Sequence, residues 1–98
     1  MPQSFVCLHV HLDFSTKDRD PVITEEFAPR LYDYIGGIIR NHDGVLIAAG
    51  GMPDHVHFLI SLGKTISLSD LVRAIKSNSS KWIHETFPER REFAWKNG

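Results

Sequence analysis

Asp54-His55-Val56-His57 is the segment with the most chemistry in it. In an extended chain residues i and i+2 point the same way, so two imidazoles can reach one metal ion while Val56 anchors the opposite face. Two histidines alone do not name the metal, because zinc, manganese, nickel and copper all accept imidazole, and a third ligand is required. Asp54, His9 and His11 are the candidates for it. The competing reading is plainer: exposed histidines that only solvate a sheet face.

A second constellation lies at Arg73, Lys76, Ser77, Ser80, Lys81 and His84, spaced three and four apart as on one helix face. Cations and hydroxyls on such a stripe suit phosphate contacts, which position nucleic acid without reading its sequence. An ordinary solvated helix face has the same composition. Tyr32 and Tyr34 read as packing or surface residues, Cys7 has no acid–base neighbour, and Trp82 and Trp95 read as core. Trp95 would stack a base only if it lay exposed on the sheet edge.

The elements that must carry these residues follow from periodicity. Residues 5–14 alternate, with Val6, Leu8, Val10, Leu12 and Phe14 on one face and Phe5, Cys7, His9, His11 and Asp13 on the other, which predicts a strand. Residues 15–21 have loop composition. A helix should follow, with Thr24 as N-cap and Phe27, Leu31, Ile35, Ile38 and Ile39 as its apolar stripe. Pro29 disturbs only its first turn. Gly36-Gly37 inside it suggests close packing, and Asp43-Gly44 ends it, with Gly44 in the left-handed position.

Residues 45–50 and 55–62 read as strands around a turn at 51–54. In the later strand Val56, Phe58, Ile60 and Leu62 face one way, and His55, His57, Leu59 and Ser61 the other. Ser67-Leu68-Ser69-Asp70 is a capping-box-like start for a second helix running to about Phe87, with Leu71, Val72, Ile75, Ser79, Trp82 and Ile83 inward. Residues 93–96 form a weak fourth strand. The order strand–helix–strand–strand–helix–strand predicts an α+β, ferredoxin-like split βαβ fold (βαββαβ), an antiparallel sheet with two helices on one face. The first and third strands are then central neighbours, and His9, His11, His55 and His57 share the open face.

Composition bounds the rest. A chain of 98 residues is one domain, 1–98, and 42% hydrophobic with 23% charged residues is globular rather than disordered. One cysteine excludes an internal disulfide and any CxxC zinc site. No apolar run approaches a membrane span and the first residues lack a signal-peptide pattern, so a soluble cytoplasmic protein is expected. Net charge is −1, but residues 1–63 carry −4 and residues 64–98 carry +3, which points any nucleic-acid surface to the second half.

Together, Met52-Pro53-Asp54 followed by His55-Val56-His57-Phe58-Leu59, the strand ending Asp13-Phe14-Ser15-Thr16-Lys17, the helix Lys76 to Ile83 and the terminal Phe93-Ala94-Trp95-Lys96-Asn97-Gly98 resemble the single-tyrosine HUH transposases of bacterial insertion sequences, of the REP-associated kind. The resemblance spans nearly the whole chain. It implies that His55 and His57 hold Mg²⁺ or Mn²⁺ at a scissile phosphate of single-stranded or hairpin DNA, and that a tyrosine attacks to give a 5′-phosphotyrosine. It also implies a homodimer, with the tyrosine helix often donated across the interface. The family's tyrosine, and a glutamine four residues on, belong to a helix beyond the segment matching residues 93–98, so the expected domain lacks that helix and the chain alone should be inactive. The rival reading is a non-catalytic ferredoxin-like module binding nucleic acid or metal. A histidine-triad hydrolase would need a further histidine where Leu59 stands.

Overall fold

Strict alternation of apolar and polar side chains puts His9–Ser15 into strand β1, and a computed structural model, which describes residues 8–97, shows how the rest is assembled on it. The elements are β1, a 3-10 turn at Lys17–Arg19, α1 (Ala28–Asn41), β2 (Val45–Met52), β3 (His55–Ser61), α2 (Leu68–Thr86) and a second 3-10 turn at Pro88–Arg90. The sheet order is β1-β3-β2, antiparallel throughout, with β3 in the middle. Both helices cover one sheet face. Leu12, Phe14, Val56, Phe58 and Ile60 from the sheet meet Leu31, Ile35, Ile39, Leu71, Ile75 and Ile83 from the helices in one core. This is the α+β, ferredoxin-like layout.

The apolar stripe of α1 is the one expected, but its start differs. Thr24 caps a preceding turn, its Oγ1 and carbonyl both accepting from the Phe27 backbone N–H, and the helix itself begins at Ala28. Pro29 therefore falls in the first turn, where its missing N–H costs nothing. At the other end Asp43, not Gly44, takes the left-handed conformation, with φ 62°. A short polar side chain tolerates that region. Gly44 is needed for space: a Cβ there would lie 2.8 Å from both Ile39 Cγ2 and the Ser61 carbonyl. Gly44→Ala should lower stability by roughly 1–3 kcal/mol, because that backbone oxygen cannot move aside cheaply. Chemical denaturation checks it, and an unchanged midpoint would contradict it.

Gly36 and Gly37 do not mark a close backbone approach; a Cβ at either would make only ordinary contacts with Leu46 or Arg40 side-chain atoms. Ser67 caps α2, its Oγ accepting from the Asp70 N–H at 3.2 Å. The inward residues of α2 are Leu71, Ile75, Ser79 and Ile83, with Val72 and Trp82 half-buried.

The weak fourth strand is reduced to a single bridge between Trp95 and Thr16, supported by Lys17 N–H to Ala94 O at 2.9 Å and Lys96 N–H to Ser15 O at 2.8 Å. It nonetheless sits on the outer side of β1, where the split βαβ order requires it. Trp95 is buried, packs on Phe14 and Phe93, and donates from Nε1 to Ser79 Oγ at 2.9 Å. It cannot stack a base. Ser79→Ala would leave that indole N–H unpaired, a loss of about 1–3 kcal/mol readable by thermal melting; a smaller loss than for a surface serine would contradict the bond. The expected strand positions of Phe5, Val6 and Cys7 lie outside the described residues. Among the described residues, no helix is long and apolar enough to cross a membrane.

Candidate metal centre

The face of the sheet opposite the helices carries the histidines. Odd-numbered residues of β1 and β3 point there, and the antiparallel register sets Asp13 opposite His57 and Ser15 opposite His55. Asp13 was not singled out by sequence reasoning, although it shares the parity of His9 and His11. Only the register shows that it, rather than either histidine, faces His57.

Each of the two central histidines is held through Nδ1 by a carboxylate. His55 Nδ1 lies 2.7 Å from Asp54 Oδ1, and His57 Nδ1 is hydrogen-bonded to Asp13 Oδ1. An ionised carboxylate only accepts, so in both rings Nδ1 carries the proton and Nε2 keeps its lone pair. Neither Nε2 has a hydrogen-bond partner among the described residues. The rings stand 4.9 Å apart, centroid to centroid. A carboxylate on the far ring nitrogen in this way fixes tautomer and orientation in histidine metal sites.

His11 completes the group from β1. Its Nε2 is 3.4 Å from Asp13 Oδ1, its ring centroid is 5.7 Å from that of His57, and ligand atoms of His11, Asp13 and His57 all lie within 4.8 Å of one another. His9 sits opposite Ser61, four residues along β1 from Asp13 and so about 13 Å away at the usual strand rise. Asp54 faces a different way, its second oxygen accepting from Arg19 Nε at 3.0 Å. The donors left open on this face are therefore imidazole nitrogens, with Asp13 committed to His57 Nδ1. They fit a divalent cation, and imidazole favours Mn²⁺ over Mg²⁺.

Arg19 reaches Asp54 from the 3-10 turn, where Asp18 and Arg19 both have φ near the left-handed region, at 56° and 55°. Such conformations cost roughly 1–2 kcal/mol per non-glycine residue. Buried Thr16 offsets part of that cost by donating from Oγ1 to Asp20 O at 2.8 Å and to Asp54 O at 3.2 Å, which ties the turn to the loop before His55.

Hydrogen bonding to His57, joined by the charges of His57, His11 and His55, holds the Asp13 carboxyl below the ordinary carboxylate range. Hydrogen bonds from His55 and then Arg19 do the same for Asp54. A depressed folded-state value means stability that is present above the unfolded value, near pH 4 for aspartate, and lost as pH falls through the folded one. Asp13→Asn should thus give a flatter acid limb in thermal melts below about pH 4. Superimposable acid limbs would contradict it.

On α2, Arg73, Ser77 and Lys81 are exposed while Lys76 and Ser80 are half-buried. Arg73 pairs with Asp70 at 3.1 Å and Lys76 donates to Lys96 O at 3.0 Å. Arg73, Lys76, Ser77 and Ser80 line one cleft, and Lys81 stands outside it. Tyr32 and Tyr34 lie on the helix side of the sheet, Tyr32 against Phe58 and Tyr34 stacked on Trp82 at 4.4 Å. Burial raises the Tyr32 phenol further above its ordinary value, away from nucleophilicity.

Comparison with known proteins agrees with this architecture. The family model described as "Transposase IS200 like" matches residues 4–98. The ISDra2 transposase TnpA of Deinococcus radiodurans is 32% identical over 88 residues, covering 90% of this chain, which spans 63% of that protein's length. A crystal structure of a Deinococcus radiodurans R1 transposase superposes with a TM-score of 0.88 at 28% identity, covering 100% of this chain and 80% of that one.

Proposed function

This chain belongs to the IS200-like transposase family, and on that premise we propose that it holds the divalent metal and the DNA strand for cleavage and rejoining of single-stranded or hairpin DNA through a phosphotyrosine intermediate. The observation that carries this reading is the pairing of both His55 and His57 with carboxylates through Nδ1, which leaves two Nε2 lone pairs on one sheet face. His55 and His57 would hold Mg²⁺ or Mn²⁺ through Nε2, with His11 beside them and Asp13 orienting His57 through Nδ1. A bound divalent ion supplies offsetting charge at the phosphate under attack.

The chain's own residues do the positioning. Asp54 and Asp13 keep both imidazoles in the metal-binding tautomer, Arg19 fixes Asp54, and the cations of α2 attract the phosphate backbone. The attacking phenol is not Tyr32 or Tyr34, which are on the far side of the sheet from the histidines. A 98-residue preparation incubated with Mn²⁺ and a hairpin oligonucleotide should therefore form no covalent protein–DNA adduct. An adduct mapped to Tyr32 or Tyr34 would contradict this placement.

Metal-dependent strand binding is the direct test of the function. Added Mn²⁺ should tighten binding of a fluorescent single-stranded hairpin, and His55→Ala with His57→Ala should remove that increment. Equal affinity with and without Mn²⁺ would overturn the proposal and favour a non-catalytic binding module. A homodimer belongs to the same reading: the outer edge of β2 is unpaired among the described residues and exposes Val45, Ile47 and Met52. Edge strands of that kind pair with further strands unless covered.

A further inference from the structure

The open sheet face carries a second grouping of metal-ligating side chains, and His55 is not in it. Among the described residues, His11, Asp13 and His57 are the three whose donor atoms all lie within 4.8 Å of one another. Strand geometry accounts for this: His11 and Asp13 stand at i and i+2 on one face of β1, and the antiparallel register sets Asp13 opposite His57. His11 Nε2 lies 3.4 Å from Asp13 Oδ1. Two donors each about 2.0–2.2 Å from a tetrahedral zinc ion are about that far apart. The His57 atom on this side is Nδ1, hydrogen-bonded to the same Asp13 oxygen. All three side chains are well exposed, so an ion reaches them without opening the fold.

We propose that His11, Asp13 and His57 form a zinc site that excludes the Mg²⁺ or Mn²⁺ of the proposed function, the two ions competing for the His57 ring from opposite nitrogens. The inference rests on that function, since the site it regulates is the His55–His57 pair. A neutral imidazole carries one proton, and in the metal-free site it lies on His57 Nδ1, facing Asp13. Zinc at Nδ1 takes the place of that proton, which moves to Nε2; the ring stays neutral, and the lone pair on the His55 side is lost. An ion at Nε2 requires the reverse, with the proton on Nδ1 and the carboxylate holding it. One ring therefore serves one ion at a time. Zinc is favoured on the His11 side, where two nitrogens and a carboxylate oxygen make a donor set of the kind zinc takes, against two nitrogens at His55 and His57. It also generally binds a given nitrogen and oxygen site more tightly than manganese does.

Diamagnetic Zn²⁺ added to the isotope-labelled whole chain at neutral pH reads the site directly, because ring-nitrogen shifts tell which nitrogen carries the proton and which the metal. The expected result is perturbation of His11 and His57 with His55 spared, and transfer of the His57 proton from Nδ1 to Nε2. Zn²⁺ that perturbs His55 and His57 together with Nδ1 still protonated overturns the proposal, as does Zn²⁺ that perturbs none of the three. His11→Ala, a change at an exposed position, should weaken Zn²⁺ binding by at least about tenfold, the lower limit even for residues that only support a ligand. His55→Ala should leave Zn²⁺ affinity as in the wild type. Equal loss in the two variants overturns the assignment.

Titrating Mn²⁺ into the same protein separates this proposal from the functional one. Zn²⁺ at saturation should remove Mn²⁺ binding, and independent binding of both ions overturns the exclusion. If Zn²⁺ moves the His57 proton while Mn²⁺ alone never binds His55 and His57, the zinc site stands and the metal-dependent function falls. If Mn²⁺ binds that pair and Zn²⁺ takes the same pair, the function stands and the zinc site falls.

Discussion

Replacing both His55 and His57 with alanine should abolish Mn²⁺ binding and leave the fold nearly as stable as before. Both side chains reach solvent on the open sheet face, 26% and 45% exposed, while the intervening Val56 is fully buried in the core. Substitutions at such surface positions usually change stability by about 0.5 kcal/mol or less. The metal, by contrast, loses two nitrogen ligands, and the histidine that remains beside them is His11. If the histidines were structural, the outcome would invert: broken buried hydrogen bonds would cost about 1–3 kcal/mol with no effect on metal. Asp54→Asn and Asp13→Asn refine the result, since outer-shell partners of ligating histidines typically govern metal affinity by about 10–100-fold. Calorimetric Mn²⁺ titration beside thermal melting decides it, and a lowered melting temperature with unchanged metal affinity would contradict the account.

Trp95→Ala should be the most damaging single change considered, at about 3–5 kcal/mol, the usual range for truncating a buried large aromatic. The ring fills space between Phe14 and Phe93, with centroid distances of 5.7 and 4.9 Å, and its N–H satisfies Ser79 in the core of α2. Its backbone is the one bridge that joins the terminal segment to the sheet, at Thr16. Domains of this size are stable by only about 5–15 kcal/mol, so the loss is a large fraction of the whole. Trp95→Phe keeps much of the packing without the donor and should fall between wild type and alanine. Urea denaturation of the three proteins checks the order; a loss under about 1 kcal/mol for Trp95→Ala would contradict the packing role.

Local periodicity and capping were legible without any structure. The alternation of Val56, Phe58 and Ile60, the stripe from Phe27 to Ile39 and the Ser67 cap all depend on neighbours within a turn or a strand, and each appears where expected. The shared open face of His9, His11, His55 and His57 followed from two strand parities. What parity cannot give is register. A shift of two residues keeps every side chain on its face and changes every partner, which is why Asp13 went unnoticed as the residue facing His57.

Longer-range features were hidden for similar reasons. Asp43 rather than Gly44 is left-handed, and Gly44 is required instead by the Ser61 carbonyl, seventeen positions along the chain, a contact that no local signal reports. The fourth strand was weakly marked and forms only one bridge, its anchoring passed instead to Trp95, Ser79 and the His84 ring, whose Nε2 lies 2.7 Å from Phe93 O. Arg90 was not read as structural at all, yet its guanidinium lies 4.2 Å from the Phe27 ring centroid and bonds Val22 O and Thr24 Oγ1, which secures the start of α1.

The central claim is that one divalent ion binds between His55 and His57 with the rings held through Nδ1. Paramagnetic Mn²⁺ added in substoichiometric amounts to the isotope-labelled protein tests it most directly, because broadening of each imidazole signal reports its distance from the ion. The account predicts that the ring signals of His55 and His57 broaden first and together, and those of His42 and His84 last. Early broadening of His11 and His57 with His55 spared, or uniform loss of all histidine signals, would contradict it.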